Sequence, residues 1–280
     1  MRTKTNITTG ILALVLAVSC NQEEDQVADL SEAEFSTART AGEGTSAAAQ
    51  AVAWSTDERY GSWNNGDYTL YNNIWGMVDG SVQVMWANSY SNWGVWANHP
   101  DTDGIKSYPN SSRNVNININ ALNSCTSGFD INVPSGGHYV AAYDIWCNNH
   151  DYEIMLWMHK EGGVKPISYE WSGTGNPIPV ATNVYIGGHT WNIYNGHNGN
   201  EEQGIGNRVF SFVRTGNTSA ATVDIKAVLN WIKDRTAQTP NEKWFKNEAI
   251  TLSTVQLGYE ISASPGGKDV ITNSYWVSYN

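Results

Sequence analysis

The fold is decided by residues 151–158, which read Asp151-Tyr152-Glu153-Ile154-Met155-Leu156-Trp157-Met158. The side chains alternate with period two between an entirely apolar face and a mixed face, and this alternation predicts a β-strand. The apolar face belongs in a core. The mixed face carries Glu153 between Met155 and Trp157. A lone carboxylate in this position is more often a half-exposed surface group than a catalytic one, so its role depends on a partner elsewhere in the chain.

The composition around this strand favours an all-β domain. All 13 Trp lie from Trp54 onward, and the chain also has 14 Tyr and 26 Gly. Aromatic and β-branched residues separated by Asn- and Gly-rich turns are typical of strands. Further strands are predicted from 68 onward and over 81–86, 93–96, 114–120, 129–133, 138–146, 184–186, 189–194, 208–213, 251–262 and 275–277. One helix is predicted over Asp224–Arg235, outside a sheet, because apolar residues recur there at helical spacing.

The N-terminal part divides into two predicted segments. Residues 1–19 resemble a bacterial lipoprotein signal peptide, with two basic residues before Ile11–Val18, an apolar run too short to span a bilayer. Cys20 then lies where such a peptide is cut and the new terminal Cys is lipidated, although an ordinary signal peptide with an incidental Cys is the alternative. Residues 20–53 are predicted to be a flexible acidic tether, and residues 54–280 form the folded domain.

The charge balance excludes one class of partner. The net charge is −11, so a nucleic-acid phosphate backbone is not expected to bind. Membrane contact is expected only through the lipid anchor, in the bacterial cell envelope, either periplasmic or at the cell surface on the outer membrane; without an anchor the protein would be secreted. The six His lie without ligand spacing, and we expect no metal and no cofactor.

A hairpin is predicted around Pro134-Ser135-Gly136-Gly137, between the strands 129–133 and 138–146. If Val133 pairs with His138, then Cys125 and Cys147 lie almost opposite each other. We therefore expect a Cys125–Cys147 disulfide, with two free thiols as the alternative.

A partner for Glu153 is found on the strand 251–262. Glu260 lies there on the less apolar face, beside small residues that leave room for a ligand. Asp144, on the strand before Glu153, is another lone acid among apolar neighbours, although a strand-end acid bonded to a turn amide is the alternative for it. Two carboxylates facing each other across an aromatic-rich cleft are the equipment of a glycosidase.

Three stretches resemble the signature motifs of glycoside hydrolase family 12, in the same order along the chain. They are Tyr71-Asn72-Asn73-Ile74-Trp75-Gly76, Asp151-Tyr152-Glu153-Ile154-Met155-Leu156-Trp157 and Gln256-Leu257-Gly258-Tyr259-Glu260. Supporting matches include Val140–Ile145, Lys165–Ile167, Gly187–Trp191 and Phe210–Val213. Together the matches cover about residues 68–280.

The resemblance implies a β-jelly roll of two curved antiparallel sheets, with a concave cleft for a β-1,4-linked glucan. It implies a retaining endo-hydrolase in which Glu153 is the nucleophile, Glu260 the general acid/base and Asp144 a support for the nucleophile. The substrate-binding residues that it implies, or that share these stretches, are Asn73, Trp75, Met155, Trp157 and Trp191.

Several alternatives remain open at this point. The chain could be a non-catalytic glycan-binding lipoprotein or another jelly-roll hydrolase such as a xylanase. The substrate could be cellulose-like glucan, mixed-linkage β-glucan or xyloglucan, since the loops Trp171–Asn183 and Glu201–Asn207 are long enough to reshape the cleft. We expect a monomer.

Overall fold

Two β-sheets and one α-helix make up the computed structural model, which describes residues 52–246 and 248–280. The strands are β1 Trp54–Thr56, β2 Ser62–Asn65, β3 Tyr68–Tyr71, β4 Val82–Ser89, β5 Asn92–Asn98, β6 Asn110–Asn118, β7 Cys125–Asn132, β8 His138–Cys147, β9 Tyr152–Glu161, β10 Ala181–Ile186, β11 His189–Asn200, β12 Ile205–Arg214, β13 Ala220–Asp224, β14 Thr251–Ala263 and β15 Lys268–Tyr279. The helix α1 spans Ile225–Gln238, and a short 3₁₀ turn spans Glu201–Gln203.

The strands form a six-stranded sheet in the order β1-β4-β5-β15-β7-β13 and a nine-stranded sheet in the order β10-β11-β12-β9-β8-β14-β6-β3-β2. Neighbouring strands are antiparallel except β9 and β12, which are parallel. The predicted all-β jelly roll with one helix is confirmed. The strand that carries Glu153 is β9, which lies between β8 and β12 near the middle of the larger sheet.

The core lies between the two sheets. The predicted apolar face of β9 is buried there, and each of its four side chains is at most 1% exposed: Tyr152, Ile154, Leu156 and Met158. Facing residues of the other sheet pack against the same core, and the ring of Phe129 on β7 meets that of Tyr143 on β8 edge to face, with centroids 5.9 Å apart. Burying each large side chain of this kind contributes roughly 1.5–3 kcal/mol.

The helix begins where the sequence predicts it. Asp224 caps it, because its side chain accepts a hydrogen bond from the backbone N–H of Ala227 at 2.9 Å. The apolar stripe of Val228, Leu229 and Ile232 is fully buried against the main core. Among the residues that the structure describes, no helix has the length and apolar character needed to cross a bilayer.

The predicted β7–β8 hairpin is wrong, and so is the disulfide that depended on it. β7 belongs to the six-stranded sheet and β8 to the nine-stranded sheet, so the turn 133–137 carries the chain from one layer to the other. The apolar faces of β7 and β8 therefore meet across the core instead of lying side by side. Cys125 and Cys147 are both buried and both free thiols. Burial raises the pKa of Cys125 to about 12.

The signal peptide, Cys20 and most of the predicted tether lie outside the described residues.

Candidate active site

The outer face of the nine-stranded sheet carries a cavity of about 670 Å³. Side chains from β6, β8, β9 and β14, together with the segment after β3, line it. Glu153, Glu260 and Asp144 all face this cavity, so the structure brings the three predicted acids together. They come from three adjacent strands, β9, β8 and β14.

The strand register sets the relative positions of the acids. Asp144 on β8 lies opposite Met155 on β9 and opposite Gln256 on β14. Glu153 lies opposite Trp146, and Glu260 lies opposite Val140. The three carboxyl groups thus follow a diagonal across the strands, with Asp144 between the two glutamates.

Glu153 is held by a hydrogen bond from the neighbouring strand β12. The side-chain Nδ2 of Asn207 donates to Oε2 of Glu153 at 2.7 Å. Burial in the cleft raises the pKa of Glu153, and the hydrogen bond from Asn207 opposes that shift because it stabilises the charged form.

Glu260 has the strongly raised pKa that a general acid needs. Burial is the larger cause and the nearby charge of Glu153 the second, and together they raise the pKa of Glu260 to about 8. The carboxyl group therefore carries its proton at neutral pH, poised to give it to a leaving oxygen.

Asp144 is buried, and its pKa is raised by burial first and then by the charges of Glu153 and Glu260. Its Oδ1 has no hydrogen-bond partner among the described residues. Because the charge on each glutamate raises the pKa of Asp144, and that of Glu153 raises the pKa of Glu260, the three acids titrate as a coupled group rather than separately.

Tyr108 also belongs to this cluster, although the sequence did not point to it. Its hydroxyl donates to the carbonyl oxygen of Ala142 at 3.2 Å, and its ring lines the cavity. Burial and the charge of Asp144 raise its pKa well above the ordinary value, so it stays a neutral phenol beside the acids.

The segment after β3 supplies the wall of the cleft. Asn73 has a positive φ of 46°, a conformation that Asn tolerates better than most residues, and its Nδ2 donates to the carbonyl oxygen of Tyr108 at 3.3 Å. The backbone N–H of Trp75 donates to the carbonyl oxygen of Lys106 at 3.1 Å. These bonds hold the Trp75 ring at the cavity with 47% of its surface exposed, available for stacking on a sugar.

Met155 and Trp157 lie beside Glu153 and line the cavity as predicted, but they are nearly buried. They pack in a small apolar cluster beneath the cleft, against Val140, Ala142 and Val209. They are therefore better suited to supporting the floor of the cleft than to stacking on a sugar from an exposed surface.

The prediction that Trp191 binds substrate is wrong. Trp191 is fully buried, and its indole N–H donates to the carbonyl oxygen of Ile186 at 2.9 Å. Its ring meets Phe212 edge to face in the core. On β11 the period-two alternation points this residue toward the other sheet, away from the cleft.

Sequence reasoning missed a group of polar and aromatic residues that line the same cavity: Tyr71, Asn110, Ser112, Asn114, Asn116, Trp146, His150, Lys165, Asn198, Thr254 and Gln256. A signal existed for two of them. The strict alternation of Asn with apolar residues over 114–120 predicts a strand with one solvent-facing side. Asn114 and Asn116 on that side line the cleft. Trp146 is the strand partner of Glu153, and its ring lies 4.8 Å from that of His150.

The loops at one end of the cleft are joined by Glu201. Its carboxylate accepts hydrogen bonds from Lys243 at 2.7 Å, Tyr169 at 3.0 Å and Arg208 at 3.3 Å. These contacts, led by the one with Lys243, lower the pKa of Glu201 to about 2. No group of three or more His, Cys, Asp or Glu residues suited to a metal ion occurs among residues 52–246 and 248–280.

Comparison with known proteins gives a consistent answer. The family whose model matches residues 66–278 is Glycosyl hydrolase family 12. Endoglucanase S of Pectobacterium parmentieri is 27% identical over 232 residues, covering 74% of this chain and 81% of its own length. A xyloglucan-specific endo-β-1,4-glucanase A of Aspergillus aculeatus is 29% identical over 217 residues, covering 71% of this chain and 82% of its own.

Among solved structures, the xyloglucanase domain of NopAA from Sinorhizobium fredii, in complex with cellobiose, superposes with a TM-score of 0.74 at 37% identity. The similarity covers 82% of this chain and all of that one. The two-sheet architecture described above agrees with this likeness.

Proposed function

Since the chain belongs to glycosyl hydrolase family 12, we propose the roles through which its cleft carboxylates act. The protein is an endo-acting β-1,4-glucan hydrolase, like its relatives. Glu153 is the nucleophile, Glu260 the general acid and base, and Asp144 the support of Glu153. The observation that carries this assignment is Glu260, whose pKa of about 8 keeps it protonated beside Glu153 in one cavity.

In the first step, a carboxylate oxygen of Glu153 forms a bond to the anomeric carbon as the glycosidic C–O bond breaks. Glu260 gives its proton to the departing oxygen and becomes a carboxylate. Because Glu153 is now an uncharged ester, the charge that helped to raise the pKa of Glu260 is gone, and Glu260 can act as a base.

In the second step, Glu260 takes a proton from water while the water oxygen bonds to the anomeric carbon. The ester bond to Glu153 breaks, and its electron pair returns to the carboxylate. Two displacements at the same carbon leave the configuration unchanged, so the enzyme is proposed to be retaining.

The natural substrate is proposed to be a β-1,4-glucan of the xyloglucan type. Support comes from the names of relatives, which include xyloglucan-specific enzymes, and from the neighbouring structure described as a xyloglucanase. The loop from Lys165 to Val180, one side of which meets the cleft at Lys165, offers additional surface for a branched chain.

The roles are tested with Glu153→Gln and Glu260→Gln, assayed for reducing ends on carboxymethyl-cellulose, barley β-glucan and xyloglucan. Each variant is expected to lose at least about a hundredfold in rate. If neither substitution reaches that loss, the assignment of roles fails. The wild-type ratio of rates on the three polymers tests the proposed substrate.

We also propose that Cys20 carries a lipid that anchors the protein in the cell envelope, with the acidic segment to residue 53 as a tether. The support is the signal-like segment and the Cys at its end. Cys20→Ala should release the protein from the membrane fraction; retention would remove the anchor. Size-exclusion chromatography tests the expected monomeric state.

A further inference from the structure

One polar side chain outside the acid cluster touches the proposed nucleophile. Asn207 lies at the start of β12, is 8% exposed, and donates from Nδ2 to Oε2 of Glu153 at 2.7 Å. β12 runs parallel to β9, with Val209 registered opposite Glu153. Asn207 precedes Val209 by two positions, so the two residues share the face of the sheet on which Glu153 lies.

The backbone around Asn207 leaves it little freedom. Gly206, just before it, has a φ of 95°, and a Cβ there would lie 1.6 Å from the carbonyl oxygen of Asn198. Only glycine fits so close an approach of β11 and β12. Asn207 is registered opposite Asn198 in this tight hairpin, which fixes the point from which its amide reaches Glu153.

Asn207 also lines a second, polar cavity of about 330 Å³, whose lining includes Arg208 and Lys246. It is not among the residues that line the main cleft, and it reaches that cleft through its hydrogen bond to Glu153. We therefore assign it no part in the proton transfers of Glu260.

We infer that Asn207 is a positioning residue for the double displacement. It fixes Oε2 of Glu153, leaving Oε1 to attack, and it stabilises the carboxylate as it departs in the second step. The inference rests on the proposed function, in which Glu153 is the nucleophile.

The physical reason lies in the changing charge of Glu153. An N–H donor binds a carboxylate more strongly than an ester oxygen. The charge falls in the first step and returns in the second, so the hydrogen bond opposes the loss of charge and assists its return. On charge grounds, removing the donor should therefore slow the second step and not the first, and the glycosyl-enzyme should accumulate. Any smaller fall in the first step would come from the lost orientation of Glu153.

The donor should also affect the ionisation of Glu153. The charged and titratable groups that line the cleft with Glu153 are Asp144, Glu260, Tyr71, Tyr108, His150 and Lys165. Those that line the cavity on the Asn207 side are Asp151, Tyr152, His197, Glu201, Arg208 and Lys246. Asp144, Glu260 and Tyr108 each interact electrostatically with Glu153, and all three are acids, so none of them favours an anionic Glu153. Loss of Asn207 should then move the acidic limb of the kcat/KM profile to higher pH, because ionisation of Glu153 becomes harder.

The test uses the full chain and 2,4-dinitrophenyl β-cellobioside, whose leaving group needs no proton from Glu260. Asn207→Ala removes the donor, and Asn207→Asp keeps the size of the side chain while replacing the amide. Gln203→Ala, an exposed amide in the same loop, is the matched control. Each variant is checked by thermal unfolding. If the Ala variant does not fold, the same measurements are made on the Asp variant.

For Asn207→Ala we expect kcat to fall roughly ten- to hundredfold, the range for a hydrogen bond to a charged group. KM should fall with it, kcat/KM should fall less, and stopped flow should show a burst approaching one equivalent of dinitrophenolate per enzyme. Gln203→Ala should behave as wild type.

Equal loss of kcat and kcat/KM without a burst, or no loss at all, would overturn the inference for Asn207. The proposed function fails separately: if Glu153→Gln still gives a burst with the same substrate, Glu153 is not the nucleophile. An inactive Glu153→Gln beside an unaffected Asn207→Ala would leave the nucleophile in place and reject only the positioning role.

Discussion

Glu153 and Glu260 lie six register positions apart along β8, opposite Trp146 and Val140 (146 − 140 = 6), yet both line one cavity. On a flat sheet six residues would separate them by about 20 Å along the strand direction alone. The charge of Glu153 nevertheless raises the pKa of Glu260. Sheets twist with a fixed hand, which brings the ends of one diagonal toward each other, and the shared cavity indicates that the two glutamates lie along that diagonal.

The pH dependence of hydrolysis should show Glu260 on its alkaline side. Since the pKa of Glu260 is raised to about 8, the proton donor is lost as the pH rises past that value, and kcat/KM on glucan polymers should fall. With 2,4-dinitrophenyl β-cellobioside, which needs no donor, the alkaline limb of kcat/KM should be absent. A limb at the same pH on both substrates would contradict the assignment of Glu260.

The carboxylate of Glu201, through its ion pairs, should stabilise the loops that it joins at pH values above the mildly acidic range. Its pKa is lowered from 4.5 to about 2, so the stabilisation is complete above 4.5 and is lost as the pH falls toward 2. Glu201→Gln should lower the free energy of unfolding by about 1 kcal/mol at pH 6, because the ion pairs are partly exposed and solvent screens them.

Denaturant melts of Glu201→Gln and wild type should converge as the pH is lowered from 4.5. Glu202→Gln, the exposed neighbour in the same turn, is the control and should change stability little. A difference between Glu201→Gln and wild type that does not depend on pH would mean that the carboxylate charge is not the cause.

Trp75 should contribute to substrate binding through its exposed ring. Trp75→Ala should raise KM for cello-oligosaccharides roughly three- to tenfold, since an aromatic contact contributes about 0.5–1.5 kcal/mol. Trp276→Ala is the matched control, because Trp276 is also partly exposed, at 39%, but lies on the six-stranded sheet. Equal KM values for the two variants would exclude stacking at Trp75.

The two core cysteines should react only when the protein unfolds. In a Cys20→Ala chain, a thiol reagent at neutral pH should label neither Cys125 nor Cys147, because both are buried and burial raises the pKa of each. Guanidinium without reductant should expose both thiols. Fewer than two reactive thiols in the unfolded protein would point to a disulfide.

Periodicity alone was sufficient to predict which residues of β9 face the core and which face the cleft. A period of two assigns each side chain to a face without any knowledge of the partner strands. The same reasoning predicted the helix and most of the longer strands. Short motifs then paired Glu153 with Glu260, because the spacing of their neighbours along the chain resembles a known family.

The arrangement of the strands in space was decided only by the tertiary structure. No local sequence pattern indicates that β7 and β8 enter different sheets, because a five-residue connection fits a hairpin and a crossing between layers equally well. The predicted disulfide was wrong for that reason. Trp191 was misplaced because a tryptophan suits a core and a sugar platform alike.

Asn207 shows the same limit most clearly. It lies 54 positions from Glu153 (207 − 153) and reaches it only because β12 pairs in parallel with β9. Local sequence determines how a strand divides its side chains between two faces, since that depends on backbone geometry. Which strands become neighbours depends on burying all the apolar faces at once, and so the surroundings of each carboxylate are a property of the whole folded chain.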